Sequence, residues 1–241
     1  MVLRFLQLQL AEGQRLDIFD GFWRQLARED GVYTLRLYDG RQMRSLKALC
    51  DMSRGGLTVI QQRLNGDVSF AQDWAMYKEG FGELGAGGSF WLGLDAIHIL
   101  TNYCALSRAR FDVQACNGDS ALEDYSTFIV GDEASNYLLR VEGASGTAGD
   151  GLHLDETLNS ANGVAFSTLD RDHDNSADSC SIVYSSGGWW FNRCGYSLPN
   201  GIYKFGCPSK PDDWASMHWY GWPTPTCCTS LAGIAIKLRP A

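Results

Sequence analysis

Four aspartates, Asp170, Asp172, Asp174 and Asp178, fall within nine residues of the stretch F-S-T-L-D-R-D-H-D-N-S-A-D-S-C. Carboxylates at that density repel one another, and a hard cation between them would relieve the repulsion. Ca2+ is the natural choice, because it takes roughly six to eight oxygens from carboxylates, backbone carbonyls and water in flexible geometry. The opening D-x-D-x-D imitates an EF-hand loop, yet the sixth position is Asn175 instead of glycine and the twelfth is Ser181 instead of glutamate. No helical pattern flanks it either, which excludes the EF-hand and leaves two readings: a calcium loop of another kind, or a solvated acidic loop.

The next fifteen residues, C-S-I-V-Y-S-S-G-G-W-W-F-N-R-C, place Cys180 and Cys194 on either side of a Gly-Gly turn and a tryptophan pair. A disulfide closing so short a loop would stabilise the fold by roughly 3 kcal/mol through loss of unfolded-state entropy. Trp189 and Trp190, beside the polar Asn192, fit either a packed core or the wall of a ligand site, and periodicity does not decide between them. For catalysis the chain offers no H-E-x-x-H, no G-x-S-x-G, no phosphate-binding glycine loop and no dinucleotide fingerprint. His98, His153, His173 and His218 are isolated in sequence from any nucleophile. The expectation is a binding protein and not an enzyme, a hydrolase assembled from distant residues being the weakest reading.

These residues need a scaffold. Short strands separated by turn residues are expected at 31–37, 46–52 and 57–63, with Asp39-Gly40 and Gly55-Gly56 between them. In D-V-S-F-A-Q-D-W-A-M-Y-K-E-G-F the spacing of Phe70, Trp74, Tyr77 and Phe81 predicts a helix with a buried aromatic face, Ser69 and Gln72 forming its capping box. A second helix is expected to start near Asp95, with His98 packed on it or at the surface. From Arg108 to Ala115 the chain alternates Ala109, Phe111 and Val113 with polar residues, the period of a half-buried strand. Further strands are expected at 122–130, 137–141 and 234–238. From Gly143 to about Thr229 glycine, serine, asparagine, aspartate, tryptophan and cysteine dominate, so a loop-rich segment held by staples or metal is expected there.

The 241 residues, 45% of them hydrophobic, can bury a core as one large domain or as tightly packed subdomains. A net charge of −8, with no run of Lys and Arg, argues against nucleic acid and anionic membrane as partners. No apolar stretch reaches the roughly 20 residues that span a bilayer, and the start of the chain, with Arg4 inside a short apolar run, reads as neither anchor nor signal peptide. Eight cysteines without a C-x-x-C pair point to disulfides and an oxidising compartment, so a secreted, extracellular protein is expected, the sequence being a mature domain or a fragment.

Across nearly its whole length the chain resembles the fibrinogen C-terminal domain family, which includes ficolins, tachylectin-type lectins, angiopoietins and the fibrinogen chains. The resemblance rests on ordered blocks: G-V-Y-T-L, C-D-M, G-G-L-T-V-I-Q-Q-R, D-W-A-M-Y-K-E-G-F-G, F-W-L-G, I-H-I-L-T, F-S-T-L-D-R-D-H-D, G-W-W-F-N-R-C, L-P-N-G-I-Y and I-K-L-R-P. It implies an α+β fold: an N-terminal subdomain, a central, mostly antiparallel sheet that recovers its last strand from the C-terminus, and a loop-rich calcium- and ligand-binding lobe. Residues 1–18 would be an N-terminal extension and 19–241 a single domain, with subdomains at about 19–56, 57–142 plus 230–240, and 143–229.

The same resemblance implies Ca2+ held by the side chains of Asp172 and Asp174 and the carbonyls of Ser176 and Asp178, with Asp170 just outside. It implies a Cys180–Cys194 disulfide preceded by a cis peptide at Arg193-Cys194, and an acetyl pocket built from Tyr184, Arg193, Cys194, Gly195, Trp214 and Ala215. The expected function is a calcium-dependent pattern-recognition lectin of innate immunity, binding N-acetylated sugars or microbial surface glycans and working as a homo-oligomer to gain avidity. The alternative is a protein-binding module of the angiopoietin or fibrinogen kind. Two departures favour that alternative: Gly195 stands where lectin members have histidine, and Trp214 where they have tyrosine, although an indole N–H cannot accept a hydrogen bond. Cys50 lacks its usual partner, and Cys104 and Cys116 lie too far apart along one strand to pair, whereas Cys207 could reach Cys227 or Cys228.

Overall fold

The structure, a computed structural model, describes residues 7–9, 15–17, 29–53, 55–153, 159–184, 186–206, 213–224 and 229–241. Among them, eleven strands form one antiparallel sheet: β1 (Gln7–Gln9), β2 (Arg15–Asp17), β3 (Gly31–Tyr38), β4 (Met43–Asp51), β5 (Leu57–Arg63), β6 (Phe81–Gly82), β7 (Phe90–Trp91), β8 (Arg108–Ala115), β9 (Ser120–Val130), β10 (Leu139–Gly146) and β11 (Leu231–Arg239). The main path runs β10-β9-β8-β11-β5-β4-β3-β1-β2, with β7 pairing on β5 and β6 on β7. The C-terminal strand thus lies in the middle of the sheet, antiparallel to both β5 and β8.

Position in the sheet explains composition. β8 alternates as expected, burying Ala109, Phe111 and Val113. β5 and β11, flanked on both sides, are almost continuously buried. Two of the polar residues there bind across elements: Gln61 Nε2 donates to Asn200 Oδ1 at 3.1 Å, and Lys237 Nζ lies 2.7 Å from both Asp51 and Asp112, tying β4, β11 and β8 together. Cys116, just after β8, is disulfide-bonded. Cys50 is a buried thiol whose pKa burial pushes up to about 12. The pairing expected for Cys207 lies outside the described residues.

Three α-helices occur among the described residues, α1 (Trp74–Glu79), α2 (Leu94–Tyr103) and α3 (Cys180–Val183), with a 3-10 turn at Glu133–Ser135. α1 starts later than its periodicity predicts. Asp73, not Ser69, is its cap, accepting from Met76 N at 2.9 Å, while Gln72 turns its amide back to the Ser69 carbonyl. The aromatic face is nonetheless core, with Phe70, Trp74 and Tyr77 at 2% exposure or less. His98 on α2 is packed, its Nδ1 2.9 Å from the Val130 carbonyl oxygen.

Among the described residues of 147–229, α3 and scattered single bridges such as Ser167–Trp189 and Leu198–His218 stand in place of long ladders. Aromatic packing holds this lobe to the sheet. Trp190, 1% exposed, sits 5.0 Å from Phe166, 5.1 Å from Trp189, 6.0 Å from Phe128 on β9 and 6.2 Å from Trp91 on β7. Its N–H donates to the Tyr137 carbonyl at 2.7 Å. Trp219 repeats the arrangement, stacking 5.0 Å from Phe111 and donating to Gly149 O at 2.9 Å. The tryptophan pair is therefore core, which resolves the ambiguity left by the sequence. Replacing Trp190 by alanine is expected to cost about 3–5 kcal/mol in denaturant unfolding. Trp190→Phe, which keeps a ring but loses the buried N–H bond, should cost about 1–2 kcal/mol; equal, small losses would show that the ring does not anchor the lobe.

Candidate functional site

The acidic loop is built outward from α1. The Asp170 carboxylate accepts from Trp74 N at 2.8 Å and Thr168 Oγ1 at 2.7 Å, so it caps the first turn of α1 from 96 residues away. Burial works against its ionisation, but these bonds outweigh it and hold its pKa below the usual carboxylate value. Arg171 lies over the Trp74 ring at 4.9 Å, and His173 meets that ring edge-on at 5.2 Å. The far side is tied by Asn175, whose N–H donates to Asn192 O at 2.8 Å and whose amide donates to Asn192 Oδ1 at 2.9 Å.

Asp172 and Asp174 are brought together between these anchors. Asp174 N donates to Asp172 Oδ1 at 3.1 Å, and Asp174 itself accepts from Ser176 N and Cys180 N, both at 2.8 Å. Burial raises the pKa of Asp174 and the neighbouring Asp172 charge adds to it, against the pull of the two N–H donors. Two oxygen-rich side chains held against their own repulsion are a donor set that suits a hard cation. Among the described residues no three His, Cys, Asp or Glu side chains converge on one point, so an ion would complete its shell with carbonyl and water oxygens. The expected carbonyl donors belong to Ser176, which is half-buried, and Asp178, which is exposed.

The Asp174–Cys180 bond joins the loop to α3 and to the Cys180–Cys194 disulfide, whose Cα atoms are 5.2 Å apart. Arg193-Cys194 is a trans peptide, contrary to expectation; the cis bond among the described residues is Trp222-Pro223. The turn is made instead by left-handed backbone at Cys194 (φ 68°) and Gly195 (φ 96°). A non-glycine residue in that region is held at a cost of roughly 1–2 kcal/mol, here by the disulfide, and the second position requires glycine, which accounts for Gly195. Arg193 is exposed and Tyr184 is half-buried, 6.5 Å from Phe191, with burial raising its phenol pKa. Trp214 packs edge-on against buried His218 at 6.1 Å, and Ala215 contributes its carbonyl to Ile202 N at 2.7 Å. Next to Tyr184, the sequence reading overlooked Ile182 and Val183, which are 59% and 58% exposed although both are aliphatic. The signal was present as two adjacent apolar residues, one serine after a disulfide cysteine, in a polar segment.

Residues 21–241 match the family described as fibrinogen beta and gamma chains, C-terminal globular domain. Bovine (Bos taurus) angiopoietin-related protein 7 is 39% identical over 216 residues, covering 88% of this chain and 59% of that protein. The human (Homo sapiens) fibrinogen alpha chain is 38% identical, covering 88% of this chain and 25% of its own length. The chain therefore spans about three fifths of the first relative and a quarter of the second. Among solved structures, the fibrinogen-like globe domain of human ANGPTL2 superposes with a TM-score of 0.78 at 31% identity, covering 92% of this chain and 94% of that one. Lamprey fibrin D-dimer, complexed with the peptide Gly-His-Arg-Pro-amide, superposes with a TM-score of 0.76 at 30% identity, covering 89% of this chain and 70% of that one.

These relatives overturn the expectation of a calcium-dependent lectin for N-acetylated sugars or microbial glycans, because they are angiopoietin-related proteins and fibrinogen chains. The local geometry is consistent with the correction: residue 195 has no side chain, and Trp214 turns its ring to His218. Asp170 serves as a helix cap in this fold. Asp170→Ala is expected to lower stability by about 0.5–2 kcal/mol, as loss of a cap does, and equally with Ca2+ or with EDTA. Because its carboxyl pKa is depressed on folding, the contribution should be present above the unfolded value near 3.8 and fade as pH falls through the folded one. A calcium-dependent loss in denaturant titrations would return the residue to the metal site.

Proposed function

Because the chain belongs to the fibrinogen C-terminal domain family, we propose that it is an extracellular protein-binding module, not an enzyme, whose loop-rich lobe holds a protein or peptide partner. The observation that carries the proposal is the exposed aliphatic pair Ile182–Val183, mounted beside half-buried Tyr184 on a helix stapled by the Cys180–Cys194 disulfide. An apolar knob of fixed conformation gains contact area on binding without a large ordering cost, the pattern of an interface anchor. Secretion fits the disulfides and the relatives, and no helix among the described residues is long and apolar enough to cross a membrane.

Within this reading Ca2+ is a structural ion. Asp172 and Asp174, with the Ser176 and Asp178 carbonyls, would hold it, and its charge would offset the carboxylate repulsion. Asp174 would transmit that order to Cys180 and hence to the Ile182–Val183 knob. Tyr184, Arg193, Cys194, Gly195, Trp214 and Ala215 are proposed as the surrounding contact surface.

Two measurements test these statements. The immobilised domain should retain a discrete extracellular partner in the presence of excess N-acetylglucosamine, and Val183→Asp should weaken retention by about thirtyfold or more, the loss of one anchoring side chain, without shifting the melting temperature. Retention unchanged by the substitution would remove the knob from the interface. For the ion, a hundredfold excess of Ca2+ over Kd should stabilise the protein by about 2.7 kcal/mol, or about 5–10 °C in Tm for a chain of this size. Asp172→Ala with Asp174→Ala should abolish the increment; an increment that persists, or none in the unaltered protein, would reject the ion.

A further inference from the structure

A separate cavity of about 410 Å3 on the outer sheet face is lined by charges already paired, Lys237 with Asp112 among them, and offers no group in want of a ligand. A second, of about 360 Å3, is different. It opens where the end of β5 and the segment 66–71 meet the lobe at 186–187 and 200–205, and includes none of the residues of the proposed partner surface. Its volume lies in the range of small-ligand sites, roughly 300–1,000 Å3.

Arg63 lines it. The residue is 4% exposed, and among the described residues no carboxylate pairs with its guanidinium. One terminal nitrogen donates to the Gly201 carbonyl, the cation lies 4.3 Å from the centre of the Phe70 ring, and Nε has no hydrogen-bond partner. A buried cation without a counter-charge is costly, because desolvation is offset only by an anion or by hydrogen bonds to every donor. Burial accordingly holds the Arg63 pKa down to about 10, with the two nearby tyrosines, Tyr77 and Tyr203, partly opposing it.

The mouth of the cavity is aromatic. Phe205 is 74% exposed, the most exposed large apolar side chain among the described residues, yet it is positioned: it packs edge-on to Tyr203 at 5.5 Å and lies over Gly66. A Cβ on Gly66 would fall 2.5 Å from the Phe205 ring, so only glycine allows the ring to rest there. Asp67, exposed on the rim, is the acidic residue of the lining.

We propose that this cavity binds a carboxylate carried by a peptide, with the uncompensated charge of the Arg63 guanidinium in the cavity wall drawing the carboxylate in and Phe205 covering the apolar residue next to it. A cation held in low dielectric without a counter-charge attracts an anion, and charge-assisted N–H bonds to a carboxylate are the stronger ones. The proposal rests on the protein-binding reading and assigns that function a second contact, chosen by acidic-apolar sequence in the partner.

The test needs no identified partner. In 15N–1H spectra of the unaltered protein, recorded at physiological salt, the Arg63 Nε–H signal is assigned by its absence in Arg63→Lys. Acetate, N-acetyl-Phe-Glu amide (a side-chain carboxylate) and N-acetyl-Ala-Phe (a terminal carboxylate) should each move that signal downfield to saturation, and whichever peptide binds more tightly identifies the source of the carboxylate. Acetamide should leave it in place. Gly66→Ala, which displaces the Phe205 ring, should weaken the peptides about fivefold, as loss of an aromatic contact does, and leave acetate unchanged. Asp67→Asn should tighten all three carboxylates about twofold by removing a like charge at the rim. A signal unmoved by carboxylates, or moved equally by acetamide or by inorganic phosphate, overturns the proposal. Short probes in this cavity report independently of partner retention at Val183, so either proposal can fail alone.

Discussion

The indole of Trp190 occupies the junction between two kinds of structure. On one side is a sheet closed by its own ladders, with β11 buried between β5 and β8. On the other is a lobe of turns and single bridges whose backbone does little to fix its own shape. Rings from both sides, Phe128 and Trp91 from the sheet and Phe166 and Trp189 from the lobe, meet on Trp190. Its N–H is spent on a backbone carbonyl, so the junction buries no unsatisfied polar group at that point. Aromatic packing of this density fixes loops that carry few hydrogen-bonded ladders, and the surface they present becomes rigid enough to recognise a partner.

From that anchor the lobe is ordered by relay. Trp74, on the same aromatic seam through Phe166, receives the acidic loop by way of Asp170, Arg171 and His173. Asp174 passes the loop's position on to Cys180, and the disulfide to Cys194 fixes a backbone turn that neither residue would adopt alone. The proposed binding surface at Ile182–Val183 is therefore tied back to the sheet through named contacts. Family membership shows the fold; the role proposed for it takes its local detail from the exposed side chains.

What could be read from residues alone divides along the same line. Alternation in β8 and the aromatic periodicity at Phe70, Trp74 and Tyr77 are local consequences of burial, and both were legible. The start of α1 was not, because the Ser69–Gln72 pattern satisfies a local rule while the actual donors are capped by Asp73 and by Asp170, far away in sequence. Trp189 and Trp190 could not be assigned to core or site, since neither period applies in a loop. The acetyl reading was overturned by the relatives, and the left-handed turn at Cys194 and Gly195 was not legible because it is set by a disulfide to a residue 14 positions away. Arg63 gave no signal, because an arginine at the end of a strand looks ordinary until its carboxylate partner proves to be missing among the described residues.

Native-state hydrogen exchange tests the central claim, that the aromatic junction makes the lobe one cooperative unit with the sheet. If it does, the Trp190 indole N–H and the backbone amides of Asn175 and Trp189 will exchange only through global unfolding, with free energies within about 1 kcal/mol of those for Phe111 and Ile236 in the central strands. Exchange of the lobe amides through an opening several kcal/mol lower, while β8 and β11 stay protected, would contradict it.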